Sequence, residues 1–536
     1  MIGKLRRGVF GGLAISLLAT LMASAAPITP ERLLATGDEP QNWLMGTGDY
    51  GAQRYSGLDA LSAENAARVK LLFTVSLGPI SVGEGFEHTK LSAPLVEDGM
   101  AYMVDPFGMV YRIDVTSGVN GHIMWTSPRL EQEMDPWLIG QWSLTLHGDS
   151  VILAAGDGRL FWIDRESGAV THEAAVADPA TGYVLAAPPV LVGDTLVIGG
   201  AGGDRGARPQ LTGLDANDGA VKWRSFLTGD EFTAGASILR TGAYDAESGL
   251  VLWSTDGPAS AYGETLRAGD NAANALLAVD PEDGTIAWQR PLLASDVLGF
   301  SDAATPVLLP DGGAVQAGDD GFVRRFDVTS GALDYAEPYV TGLDWYDERD
   351  ADGAPISTGD AVSPPGCPNI LAEDHMPASY STRTNLFYAA QNNGCRTDLS
   401  AIGNLAGEDE GGLYAHSTTS TGALSAIDPA NGAVMAEHLF DYPLQSGLLT
   451  TAGGLVVAMT ADGSLHLLDD TTLDTLWSQH VSSFMAAPPM SYSVDGRQYI
   501  GMIVGGGPLY SDISFHSRDM AGVRHLAVFA VFGVEP

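Results

Sequence analysis

The chain has 536 residues, 66 of them glycine, and sets 27 lysines and arginines against 66 aspartates and glutamates, a formal net charge of −39. A surface of that sign repels nucleic acid and anionic membrane, which makes both poor partners. It suits high salt, which screens self-repulsion, or acid pH, which neutralises carboxylates; an ordinary acidic exported protein has the same composition.

Residues 1–25 read as a secretory leader: Lys4, Arg6 and Arg7, an apolar run from Val9 to Met22, then Ala23-Ser24-Ala25 at a cleavage position. The run is too short for a permanent anchor, and no later segment could span a membrane. The mature chain is expected in the periplasm or outside the cell, exported by the general or the twin-arginine route.

After the leader the chain reads as short strands joined by turns. Its unit is clearest from Gly318 to Leu333: an Asp-Gly turn, a run of β-formers ending at Asp327, then Thr329-Ser330-Gly331 and the next strand. Tight turns need positive φ and side-chain capping of the backbone, which Gly and Asp supply. The unit recurs around Asp114, Asp164, Asp215, Asp280, Asp327, Asp428 and Asp469, at intervals of 50, 51, 65, 47, 101 and 41 residues. Trp125, Trp223, Trp288 and Trp477 follow four of these turns at similar offsets. All-strand repeats of this period predict an all-β fold, an eight-bladed β-propeller. The interval of 101 is expected to hold the eighth unit. The reading is one domain over 26–536, with insertions at 337–369 and 401–415 that could be lids or interfaces. Cys367 and Cys395 are the two cysteines, and in an exported protein they are expected to pair.

The stretch Asn42 to Leu58, NWLMGTGDYGAQRYSGL, resembles the opening of the quinoprotein alcohol dehydrogenases, the methanol and ethanol dehydrogenase family. The likeness continues through Ser92 to Val96, Leu211 to Asp215, Gly242 to Asp245, Glu264 to Asn271, Thr450 to Gly454 and Tyr499 to Gly507, spanning nearly the whole mature chain. It implies an eight-bladed propeller, closed by pairing His525 to Phe532 with strands near the N-terminus. It also implies that Cys367 and Cys395 correspond to a structural disulfide of that family.

Carried over position by position, the family's cofactor site looks altered. The metal-binding Glu falls on Asp204, the metal-binding Asn on Gly257, the stacking Trp on Leu239 and the catalytic Asp on Gly299. The Arg that meets the quinone falls on Asp319 and a supporting Glu on Leu91, while Asn392 is retained. Asp256, Asp296 and Asp302 stand near the lost positions. Read this way, the chain holds neither pyrroloquinoline quinone nor calcium, and no metal.

A branch of the same superfamily, the exported and quinone-free tetrathionate hydrolases, is similar in length, fold and insertions, and is described as dimeric. That resemblance implies a hydrolase of a small anionic sulfur compound, with a homodimer built through the insertion loops. Asp319 or Asp320 would be the general acid, protonating the departing sulfur. Lys90, Arg205 and Arg208 would clamp the sulfonates, with Asp204 and Asn392 beside them. Leu239, Phe300, Leu298 and Leu91 would make the cavity apolar. Two alternatives stand: a quinone-dependent alcohol dehydrogenase with a rearranged site, and a non-catalytic scaffold. For Asp319 and Asp320 the plain reading as turn residues has even weight, since every repeat demands such turns.

Overall fold

The computed structural model describes residues 26–79, 90–105, 107–130, 141–185, 187–202, 207–229, 235–257, 273–293, 304–343, 345–351, 353–357, 366–369, 377–398, 414–416, 421–444, 447–481, 484–506 and 526–535. The leader at 1–25 lies outside them. The chain is an all-β, eight-bladed propeller. Counted outward from the axis, blade 1 holds strands Leu95–Glu97, Met100–Val104, Val110–Asp114 and His122–Thr126, all antiparallel. Blades 2 to 7 repeat this up to Thr475–His480. Among the described residues no helix is long and apolar enough to cross a membrane.

Middle strands are apolar and buried on both faces, as in Ala275–Val279, whereas fourth strands such as Val221–Phe226 alternate towards solvent. The repeat residues bolt neighbouring blades together. Asp327 accepts from Ser330 N at 2.8 Å, which sets the turn, and Gly331 adopts φ 67°. The Trp288 ring of the preceding blade lies over Gly331, where a Cβ would come within 2.5 Å of it, and Trp288 Nε1 donates to Val328 O at 2.9 Å. Trp125 over Gly168 and Trp223 over Gly284 repeat the contact. Trp162, from a third strand, does the same over Gly219, and Tyr335 donates to Pro429 O beside Gly432. Sequence offsets missed these last two because one comes from another strand and the other is not tryptophan.

The interval from Asp327 to Asp428 contains one blade rather than two. Its length goes into the hairpin Tyr346–Arg349 with Pro355–Ser357, the strand Gly366–Asn369, and a 13-residue second strand, Leu386–Asp398. The eighth blade is the closure: Phe484–Val494, Arg497–Gly506 and Leu526–Val534, completed by Val69–Pro79 from the N-terminal side. Leu526–Val534 pairs antiparallel with Val69–Pro79, from Val534 against Val69 to Leu526 against Pro79. No Asp turn marks this blade because its third and fourth strands are not joined in sequence.

The segment Trp43 to Ser56 runs around the axis and bonds to the inner edges of the ring. Trp43 N reaches Val96 O, Tyr50 O accepts from Tyr244 N, Gly51 O from Leu308 N, Gln53 O from Tyr380 N and Arg54 O from Thr450 N, all between 2.8 and 3.1 Å. Tyr50 Oη donates to Leu191 O, and the buried Arg54 guanidinium donates to Leu448 O, Gly46 O and Pro489 O. One strap thus touches blades 1 and 3 to 8.

Asp49 sits in this strap and accepts from Gln53 N at 3.0 Å. Burial pushes its carboxyl up to about 6, against backbone N–H bonds and the Arg54 charge, which pull it down. A raised carboxyl favours the protonated fold, so its stabilisation is complete below the ordinary value of 3.8 and is lost as pH rises through about 6. Asp49→Asn should therefore raise stability at pH 7–8 by about 1–2 kcal/mol, allowing for partial exposure. Melting temperatures of both proteins from pH 4 to 8 check this; parallel profiles would rule out Asp49 as the group responsible.

Candidate functional site

The sequence-selected positions fall in second-to-third strand connections, in connections from one blade to the next, or on the strand ends leading into them. In an antiparallel blade these connections share one face of the ring, opposite the Asp turns that join third to fourth strands. Lys90 leads into blade 1 and runs parallel to the inner strand of blade 2, opposite Gln141; its side chain and that of Leu91 lie outside the described residues. So do Asp204, Arg205, Leu298, Gly299 and Phe300.

The second-to-third connection of blades 1, 2, 5 and 7 is a four-residue turn. Gly108 N donates to Asp105 O, Gly158 N to Ala155 O, Gly321 N to Gly318 O and Gly463 N to Thr460 O, at 2.9–3.1 Å. These glycines have φ of 73–88°, a region other residues avoid. The third turn position carries Asp157, Asp320 and Asp462, each capping the N–H two residues on at 2.9–3.3 Å. Asp320 is thus a repeat residue. It is fully buried and ion-paired with the equally buried Arg324, Nη1 to Oδ1 being 3.1 Å with a second bond through Nη2. Trp345 Nε1 donates to its backbone oxygen at 3.0 Å. Asp319 differs: blades 2 and 7 place Gly156 and Ala461 at its position, and among these described turns only blade 5 buries a carboxylate there.

Two sequence-selected polar residues hold the frame. Arg208 Nε donates to Thr228 O at 2.8 Å, and its guanidinium stacks 4.1 Å over Phe226. Asn392 is buried, and its Oδ1 accepts from Leu444 N at 2.9 Å, fixing the connection from blade 6 to blade 7. Leu239 is half-buried between blades 3 and 4, its carbonyl accepting from Arg240 Nη1 at 3.1 Å. The strands bearing the cysteines pair antiparallel, Gly366 against Arg396 and Asn369 against Gly394; the thiols lie outside the described residues.

Blade 4 holds a residue that sequence reading missed. The ladder ends where Ser254 pairs with Leu276; beyond it Thr255 N donates to Ala275 O and Asn274 N to Asp256 O, at 2.9 and 2.8 Å. The Asp256 and Asn274 backbones therefore meet at the mouth of the blade. Asn274 is 3% exposed with φ 48°, and neither its Oδ1 nor its Nδ2 has a hydrogen-bond partner. Gly257 N donates to Asp256 Oδ1 at 2.8 Å. Among the described residues no three His, Cys, Asp or Glu side chains converge as a metal cluster.

The family profile described as "Glucose/ethanol/alcohol dehydrogenase, beta-propeller domain" matches residues 43–317 and 415–500. The chain is similar to the quinoprotein alcohol dehydrogenase PedH of Pseudomonas putida, 28% identical over 94% of this chain and 92% of the relative. The putative dehydrogenase XoxF of Paracoccus denitrificans is 26% identical, covering 91% of each chain. Among solved structures, a europium-containing methanol dehydrogenase superposes with TM-score 0.82 at 20% identity, covering 94% of this chain and all of the other, and so supports the fold.

These relatives overturn the hydrolase reading: they are named dehydrogenases, and none a sulfur-bond hydrolase. The roles given to Asp319 and Asp320 as acids towards tetrathionate fall with it. The expectation of no cofactor and no metal is corrected too, because the family and its relatives are named for the quinone, and some for a lanthanide. Residue-by-residue losses misled because Asp256, though noted beside Gly257, was not read together with the Asn274 amide near it. The Asp256 carboxylate and the orphaned Asn274 amide offer the hard oxygen donors that such a cation takes, so the residues present fit the group. With a matching profile over most of its length and an eight-bladed ring, the chain belongs to the PQQ-dependent alcohol dehydrogenase-like propeller family.

Proposed function

We propose that this protein oxidises alcohols with pyrroloquinoline quinone in a rearranged site. The observation that carries the reading is the family match over residues 43–317 and 415–500, joined to relatives named as alcohol, ethanol and methanol dehydrogenases. Bound quinone with its cation would supply the two-electron oxidant. The chain's own part is to position the alcohol and take its hydroxyl proton. Asp319 is our proton acceptor: it is a buried carboxylate on the connection face, at a turn position that needs no side chain. Leu239 contributes an aliphatic wall, Asn392 rigidity, and Lys90 and Arg205 positive charge towards an acidic cofactor. The enzyme is taken to act after export, where Cys367 and Cys395 can pair.

The test is reconstitution of purified protein with quinone and either Ca²⁺ or La³⁺. We expect a stoichiometric quinone chromophore and dye-linked oxidation of primary alcohols. Asp319→Asn should retain the chromophore and lose about 10²-fold or more in kcat. Absence of quinone binding under both metals would overturn the reading.

A further inference from the structure

We propose that Trp345 is a positioning residue for Asp319, and that the segment after blade 5 buttresses the turn that carries this carboxylate. The effect on turnover rests on Asp319 being the proton acceptor; the buttress rests on geometry alone. Trp345 is 2% exposed and stands just before the hairpin Tyr346–Arg349 with Pro355–Ser357. It follows the fourth strand of blade 5, Leu333–Pro338, and so enters the connection face beside the turn 318–321. There its Nε1 donates to Asp320 O at 3.0 Å, one residue beyond the buried Asp319.

Aromatic packing holds the indole in place. Its ring meets Phe322 edge-on with centroids 5.7 Å apart, and Tyr346 at 5.4 Å, while Phe322 and Tyr346 meet edge-on at 4.7 Å. Arg349 closes the cluster, its guanidinium 5.5 Å from the Phe322 ring and donating to Ala336 O. The turn's own bonds, Gly321 N to Gly318 O at 3.0 Å and Phe322 N to Asp320 Oδ1 at 2.9 Å, set its shape but not its tilt against the blade. One tie against tilting is general: Tyr339 N donates to Gly321 O at 3.0 Å, as Val176 N does to Gly158 O and Val481 N to Gly463 O in blades 2 and 7. The indole bond is a second tie, made from outside the four strands of blade 5. A general base must lie within hydrogen-bond reach of the proton it takes, and a displacement of about 1 Å can cost about 10²-fold in rate. A tie placed next to Asp319 therefore bears on turnover as well as on stability.

The experiment compares Trp345→Phe, which keeps a ring in the cluster and removes the N–H, with Trp288→Phe, which removes the same kind of bond, Nε1 to Val328 O, between two blades. In full-length, quinone-free protein, hydrogen exchange of the Gly321 and Phe322 amides should quicken about tenfold in Trp345→Phe and not in Trp288→Phe. The corresponding Gly158 and Arg159 amides of blade 2 should stay at the parental rate in both. In reconstituted protein Trp345→Phe should lower kcat about tenfold and leave KM for the alcohol within about twofold, while Trp288→Phe keeps the parental kcat. Added to Asp319→Asn, Trp345→Phe should cost no further turnover, because the group it positions is already gone. Parental exchange at 321 and 322 in Trp345→Phe would overturn the buttress. A kcat loss that adds in full to that of Asp319→Asn, or that recurs in Trp288→Phe, would overturn the positioning role. If Trp345→Phe does not fold, Tyr346→Leu removes the half-buried ring packed on the indole, and parental exchange and kcat in that variant would overturn the proposal equally. An inactive parent with quickened exchange in Trp345→Phe would sink the dehydrogenase reading and the role in turnover but leave the buttress standing; an active parent with kcat unmoved in Trp345→Phe would sink the positioning role alone.

Discussion

Replacing Arg54 by methionine should destabilise the propeller by about 3–5 kcal/mol, more than any surface substitution on the ring. Arg54 is 1% exposed, and its guanidinium donates to Leu448 O before blade 7, Pro489 O in blade 8 and Gly46 O in its own strap. Removing it leaves two buried carbonyls and the half-buried Gly46 O without this donor, each buried one costing about 1–3 kcal/mol. Loss of the buried cation offsets part of this, since burial already pushes that guanidinium down to about 9. Arg54→Lys should fare little better, because an ammonium cannot span three acceptors arranged around a planar fork. Denaturant unfolding of the two variants against the parent measures the effect. A midpoint unchanged in both would mean that blade 8 closes the ring unaided and that the strap is incidental.

The ring was legible in the sequence because its repeat is written in residues with one physical job. Asp327, Ser330 and Gly331 can be recognised as a turn from residue type and spacing alone, and so can Trp288 at its offset. Closure was legible only through resemblance, and the eighth blade was assigned to the wrong interval, since spacing cannot distinguish an insertion from a repeat. The strap from Trp43 to Ser56 stood out as a motif, but its task depends on blades that lie hundreds of residues downstream. At the site, the sequence gathered its candidates on one face of the ring, Asp319 among them. It could not separate Asp319 from Asp320, because only superposed turns show which of the two recurs as Asp157 and Asp462. Asn274 carried no local signal at all; its significance lies in a missing bond.

Asp320 and Arg324 supply the sharpest test of that separation. Asp320→Ala should cost about 3–5 kcal/mol, because it removes the carboxylate paired with a guanidinium that is 1% exposed and the cap on Phe322 N. Adding Arg324→Met should recover a large part of the loss, since an apolar side chain can fill the space beside Phe322 and Trp345 without a charge to solvate. The double-mutant cycle should thus show a coupling of several kcal/mol, well beyond the scatter of independent sites. Asp319→Asn should have a smaller effect on stability, because its turn position is filled elsewhere by Gly156 and Ala461. Its effect should appear in turnover of the reconstituted protein instead. Additive losses for Asp320 and Arg324 would show that the pair is not the unit that holds this turn. Equal stability losses at 319 and 320 would return both carboxylates to the frame, and the proton acceptor would then have to be sought at Asp256.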